Sequence, residues 1–171
     1  MQQIVRRAKI IGTGSYVPDQ VYTNEYLEST IDTNAKWIFN SLGIKERRIA
    51  DKDQATSDLA WKAGLRAIEN ANLQIHDIDL IIVATSTPDR IAPSTACFVQ
   101  DKLKAYNAVA FDIAAVCSGF LYAMSVASQY IASDVYQNIL VIGADTFSKI
   151  TDWNRRDAVF FGDGAGAAIV S

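Results

Sequence analysis

The stretch DIAAVCSGF, residues 112–120, places one cysteine among small and apolar residues, where a strand-like run gives way to a helix-like one. A thiolate is the nucleophile of cysteine chemistry, and the unpaired N–H groups and dipole of a helix N-terminus favour an anion. Gly119 lets backbone approach closely, and the small neighbours leave room for a substrate. Cys117 is therefore a candidate nucleophile. The competing reading is a small buried hydrophobe, which most free cysteines are. Both stay open on these residues alone. Cys97, inside the helical pattern after Pro93, reads as core packing.

A cysteine nucleophile needs a base or an electrostatic partner. The one histidine, His76, precedes an apolar strand-like run and so sits at the amino end of a strand. Cys117 falls at the carboxyl end of another. A strand of about six residues at ~3.3 Å each separates those ends by roughly 20 Å. The partner must come from elsewhere. The glycine stretches IGTGS (11–15) and FGDGAGAAIV (161–170) complete no G-x-G-x-x-G, and the second runs into a strand pattern. They read as tight turns and close backbone packing rather than phosphate loops. Two basic clusters, Lys45 with Arg47 and Arg48, and Arg155 with Arg156, read as solvated surface or as landing sites for phosphates.

The elements that must position these groups follow from the hydrophobic periods. AKIIGTG (8–14) predicts a first strand, and helices are predicted over 24–30 and 34–42, the second closed by Gly43. A helix over 57–71 has Ser57 as N-cap and an apolar stripe of Leu59, Ala60, Ala63, Ala67, Ile68 and Ala71. IDLIIVAT (78–85) is continuously apolar and β-branched, the pattern of a parallel strand buried on both faces. Helix 94–104, strand 108–114, helix 117–132 and strand 138–144 follow, then segments 158–161 and 166–170 as a final hairpin. This order predicts an α/β sandwich core. Helix 117–132 is small or apolar nearly all round, so it is expected to be buried on every side.

The bulk numbers agree. With 171 residues, the chain has room for one domain with a real core. Half the residues are hydrophobic, a fifth are charged and the net charge is -3, which argues against nucleic acid as a partner. The two cysteines sit in apolar surroundings, lack metal-like spacing and suggest no disulfide framework, so a reducing compartment is expected. The two N-terminal arginines precede no apolar signal region, and no apolar run reaches the ~18 residues that span a bilayer. A cytoplasmic protein with no membrane partner is expected.

Four stretches in order carry a family likeness: TNAKWIFNSLGIKERRIA, IVATSTPDRIAPSTACFVQDKL, DIAAVCSGF and FFGDGAGAAIVS. Together they resemble the N-terminal half of β-ketoacyl-acyl carrier protein synthase III, a condensing enzyme of the thiolase superfamily that initiates fatty-acid synthesis. The resemblance implies an α/β thiolase-like half-fold: a mixed β-sheet packed between helices, with a buried central helix, forming one half-domain over 1–171. It implies that Cys117 takes an acyl group from acyl-CoA. Malonyl-acyl carrier protein then condenses with it to give a 3-ketoacyl thioester. Trp37 matches a tryptophan that stacks on the CoA adenine, with Thr33 lining the same site. Arg155 or Arg156 matches an arginine on the adenine's other side, the choice left open because this loop is one residue short. Phe161 matches an aromatic near the catalytic cysteine.

No metal or redox cofactor is implied; the CoA thioester is substrate. Ser41 stands where some members carry an arginine toward the CoA phosphates. Ala92 stands where some carry a phenylalanine that caps the partner subunit's acyl pocket, which implies a roomier pocket. A homodimer is expected. The catalytic histidine and asparagine belong to the C-terminal half, absent from this chain, so that half-domain is an expected partner and the lone chain is expected not to condense. A non-catalytic acyl- or carrier-protein-binding half-subunit, and a condensing enzyme of a specialised pathway, are the alternatives.

Overall fold

A computed structural model describes residues 7–171; the reading of Arg6 and its N-terminal neighbours falls outside them. The architecture is built on the continuously apolar run. β4 (Leu80–Ala84) is buried at all five positions, because it lies inside the sheet and is covered on both faces. It pairs in parallel with β5 (Val109–Ile113) on one side and β6 (Ile139–Thr146) on the other. β7 (Asp163–Val170) adds antiparallel to β6, and β1 (Ile10–Tyr16) antiparallel to β7, giving the order β1-β7-β6-β4-β5.

Successive side chains of a strand point to opposite faces. Ile81 and Val83 join Leu140 and Ile142 beneath α3 (Thr56–Asn70) and α4 (Thr95–Leu103). Leu80 and Ile82 join Ile139 and Val141 beneath α5 (Gly119–Ala132). The two crossovers explain the layering. β4–α4–β5 moves one way along the sheet, and β5–α5–β6 moves back past β4. Right-handed crossovers in opposite directions put their helices on opposite faces.

A smaller unit sits beside this sheet. The paired strands β2 (Gln20–Thr23) and β3 (Glu46–Ile49) flank α1 (Asn24–Thr30) and α2 (Ala35–Leu42). Gly43 ends α2 at φ 72°, the left-handed cap that glycine adopts without penalty. The hydropathy pattern misses this strand pair. Each strand has four residues, and the ERRI of β3 offers no apolar alternation.

Three further expectations are corrected. The N-cap of α3 is Ala55, and Ser57 lies buried in the first turn. The orphan N–H groups there go to carboxylates instead: Asp89 accepts from Ser57 N at 2.9 Å and Asp58 from Ala55 N at 2.8 Å. The expected hairpin of 158–161 with 166–170 does not form. Arg156–Phe160 is a 3₁₀ turn, and β7 takes β6 and β1 as partners. Finally, α5 is covered on one face only. Gly119, Ala123, Ala127 and Ile131 pack on the sheet, whereas Leu121 is 68% exposed and Tyr122 56%. A helix apolar all round needs two covering layers, and among the described residues only the sheet supplies one. No helix is long and apolar enough to cross a membrane among the described residues.

The IGTG stretch packs closely, as read from the sequence. A Cβ added at Gly14 would clash with Ala63 O on α3, whereas one at Gly166 would meet nothing within 4 Å. Gly14→Ala is therefore expected to lower the unfolding free energy by about 1–3 kcal/mol or more. Gly166→Ala should change it by less than about 0.5 kcal/mol. Urea midpoints of the two variants check the contrast; equal losses would contradict it.

Candidate active site

Cys117 is exposed and lies in the 3₁₀ turn Val116–Ser118 that joins the carboxyl end of β5 to α5. The α-helix proper begins two residues later than expected, at Gly119. A Cβ at Gly119 would stand 3.1 Å from Ala84 Cβ at the end of β4, tighter than an ordinary contact, so glycine lets the helix start close on the sheet. The exposure of Cys117 excludes its reading as a buried hydrophobe within this chain. Cys97, by contrast, is half-buried on α4, with its sulfur 3.2 Å from Ser94 Oγ.

The turn is strained. Val116 has φ 46°, in the left-handed region that β-branched residues avoid. Such a conformation costs on the order of 1–3 kcal/mol and persists only where the surroundings over-determine it. Here β5 holds one side and the Gly119–Ala84 contact the other. The location also has topological meaning. β4 and β5 are neighbours whose following helices lie on opposite faces, which makes the gap between their carboxyl ends a switch point, the usual ligand crevice of an α/β sheet.

The loop that leaves β4 starts at the same end of the sheet. Asp145 Oδ1 accepts from Thr85 Oγ1, Ser86 N, Thr87 N and Thr87 Oγ1 at 2.8–3.1 Å. Asp112, on β5, accepts from Thr95 N at 2.6 Å and Ala96 N at 2.8 Å and so caps α4 from the strand. Between these anchors the loop carries Ala92, which is exposed, beside the fully exposed Ile91.

A second cluster gathers on the smaller unit. Trp37, on α2 and 36% exposed, has the guanidinium of Arg156 4.5 Å from its ring centroid. Arg155 points elsewhere and pairs with Asp157 at 3.0 Å, so the geometry brings Arg156, not Arg155, to the tryptophan. Thr33 lies in the turn before α2, with its Oγ1 buried and without a hydrogen-bond partner. Ser41 is exposed on α2. Phe161 follows the Arg156–Phe160 turn and stacks on Phe147, centroids 5.3 Å apart and planes 18° from parallel. His76 is exposed beside Asp77 before β4, at the opposite end of that strand from the crevice. Of the basic cluster at Lys45, Arg47 and Arg48, only part is surface: Arg47 is buried.

A layered mixed sheet with a cysteine turn at its switch point defines the class: the thiolase-like fold. The family model for 3-oxoacyl-[acyl-carrier-protein] synthase III matches residues 111–171. Two relatives named β-ketoacyl-[acyl-carrier-protein] synthase III match almost the whole chain. That of Caldanaerobacter subterraneus subsp. tengcongensis is 57% identical over 95% of this chain and 50% of its own length. That of Clostridioides difficile is 54% identical over 96% of this chain and 50% of its own. The crystal structure of 3-oxoacyl-[acyl-carrier-protein] synthase III from Aquifex aeolicus superposes with a TM-score of 0.93 at 50% identity, covering 96% of this chain and 53% of that one. The priming β-ketosynthase of the R1128 polyketide pathway superposes with a TM-score of 0.93 at 35% identity, covering 97% of this chain and 50% of that one. This chain matches the N-terminal half of β-ketoacyl-[acyl-carrier-protein] synthase III, and it spans about half the length of the relatives it matches.

The strain at Val116 makes a direct prediction. Asparagine tolerates the left-handed region far better than valine. Val116→Asn is expected to raise the unfolding free energy by about 1 kcal/mol. A urea midpoint unchanged or lowered would place the strain elsewhere.

Proposed function

We propose that this chain is the acyl-accepting half of a β-ketoacyl-acyl carrier protein synthase III. The observation that carries the reading is the exposed thiol of Cys117 in a strained strand-to-helix turn at the sheet's switch point. The Cys117 sulfur attacks the carbonyl carbon of an acyl-CoA. The carbon–sulfur bond to CoA breaks, and CoA leaves as its thiol with the cysteine proton. The developing oxyanion is taken by the Cys117 N–H, in the turn that leads into α5. Malonyl-acyl carrier protein then loses CO₂. Its carbanion attacks the acyl-cysteine, releasing the thiolate and a 3-ketoacyl-acyl carrier protein. Dividing one condensation into two acyl transfers lowers each barrier. The histidine and asparagine that the resemblance assigns to the second step belong to the complementary C-terminal half.

Trp37 and Arg156 clamp the CoA adenine, with Thr33 in the turn beside them. A ring between them needs about 7 Å, twice a van der Waals separation. The present 4.5 Å therefore opens by a swing of the exposed Arg156 side chain. Phe161 borders the acyl channel, and alanine at position 92, reaching across the expected dimer, leaves the partner subunit's channel wide enough for chains longer than acetyl. No redox cofactor or metal enters either step.

Two measurements test this. Intact mass after incubation with acetyl-, butyryl- and octanoyl-CoA should show an acyl group on the wild-type chain, and none on Cys117→Ser. No acyl group from any donor would sink the reading, and a strict preference for acetyl would sink the wide pocket. In CoA titrations, Arg156→Ala should weaken binding by about tenfold (~1.4 kcal/mol), and Arg155→Ala by less than about twofold.

A further inference from the structure

Arg47 is the least expected side chain in the molecule. The charge run around it predicts a solvated surface, yet it is 6% exposed. Its Nη1 donates to Tyr22 O at 3.2 Å and to Asn24 Oδ1 at 3.0 Å, and its Nη2 donates to Val159 O at 3.0 Å. Asn24 in turn donates from Nδ2 to Ile44 O at 2.7 Å. Every acceptor is neutral, Nε is buried without one, and burial lowers the pKa of the guanidinium. A cation buried without a carboxylate is costly, and an apolar side chain of similar size would serve better as simple filling.

What the guanidinium touches explains its place. Val159 O belongs to the 3₁₀ turn that begins at Arg156. A Cβ added at Gly162 would lie 2.9 Å from Arg47 Cβ, so the arginine's stem packs directly on the backbone just after Phe161. Arg47 therefore grips the chain on both sides of Phe161. Its other hand holds β2 and the start of α1. The side chain of Val159 completes the same junction, buried against Leu27 of α1 and Ile38, the neighbour of Trp37.

We propose that Arg47 is a positioning residue: it fixes the backbone turn from which Arg156 reaches over Trp37 and holds the chain on both sides of Phe161, without touching substrate. This rests on the reading of Trp37 and Arg156 as a nucleotide clamp. Lysine cannot substitute, because a single ammonium cannot reach the carbonyl of Tyr22, the amide of Asn24 and the carbonyl of Val159 at once.

The test uses Arg47→Lys and Arg47→Gln in the 171-residue chain, with two readouts. The first is NMR of the Trp37 indole N–H and the Arg156 Nε–H, assigned with Trp37→Phe and Arg156→Ala; Trp61, on α3, is the internal reference. The second is titration with CoA. Both variants should shift the Trp37 and Arg156 signals, leave Trp61 unmoved and weaken CoA binding at least fivefold. Unmoved Trp37 and Arg156 signals would overturn the proposal. Equal movement or loss of the Trp61 signal in both variants would also overturn it, by making Arg47 a residue of general folding. Shifted clamp signals in a chain whose wild type does not bind CoA would sustain the positioning role and refute the clamp's ligand.

Discussion

The structure depends on one constraint: β4 has no face that can meet water. Five consecutive buried apolar residues require a parallel neighbour on each edge and a helical layer on each face. Chirality then leaves little choice. Crossing from β4 to β5 and back to β6 with the same hand places α4 and α5 on opposite sides, and the chain must part between the carboxyl ends of β4 and β5. The exposed cysteine stands at that parting. Its position follows from how the sheet is covered, and the chemistry proposed for it uses a gap that the layering produces in any case.

The polar groups inside this frame act mainly as joints. Asp112 reaches from β5 to satisfy the first amides of α4. Asp145 gathers the loop after β4. Asp163 accepts from Ala50 N and Ser148 N and so fastens β7 to the smaller unit and to the turn that carries Phe147. Arg47 does the same for the Arg156 turn. Each satisfies backbone groups where secondary structure ends, which is where orphan donors and acceptors would otherwise be buried unpaired.

The exposed face of α5 shows the opposite behaviour. Leu121 and Tyr122 stand in water although the helix carries no charged residue. That mismatch between an apolar helix and a single covering layer fits a chain that spans half the length of its relatives.

Much of this was legible in the sequence. Hydrophobic periods located the buried strand and the helices that cover it, because burial on a period of 2 or 3.6 leaves a direct imprint on residue type. Gly43 and the IGTG stretch were readable for a similar reason: a left-handed cap and a helix pressed on a strand both demand glycine. The cysteine turn was readable as a place, from small residues at a strand-to-helix switch. What only the tertiary structure decided are relations between residues far apart in the chain. Arg156 rather than Arg155 meets Trp37, because the 3₁₀ turn rotates one toward α2 and pairs the other with Asp157. Arg47 is buried because carbonyls from residues 22 and 159 converge on it, although ERRI reads as surface. Val116 takes its left-handed φ in the short turn between the end of β5 and Gly119, which packs on Ala84. Periodicity records which face of an element is dry. It carries no record of which distant backbone group a side chain will find, and that is settled only when the layers close.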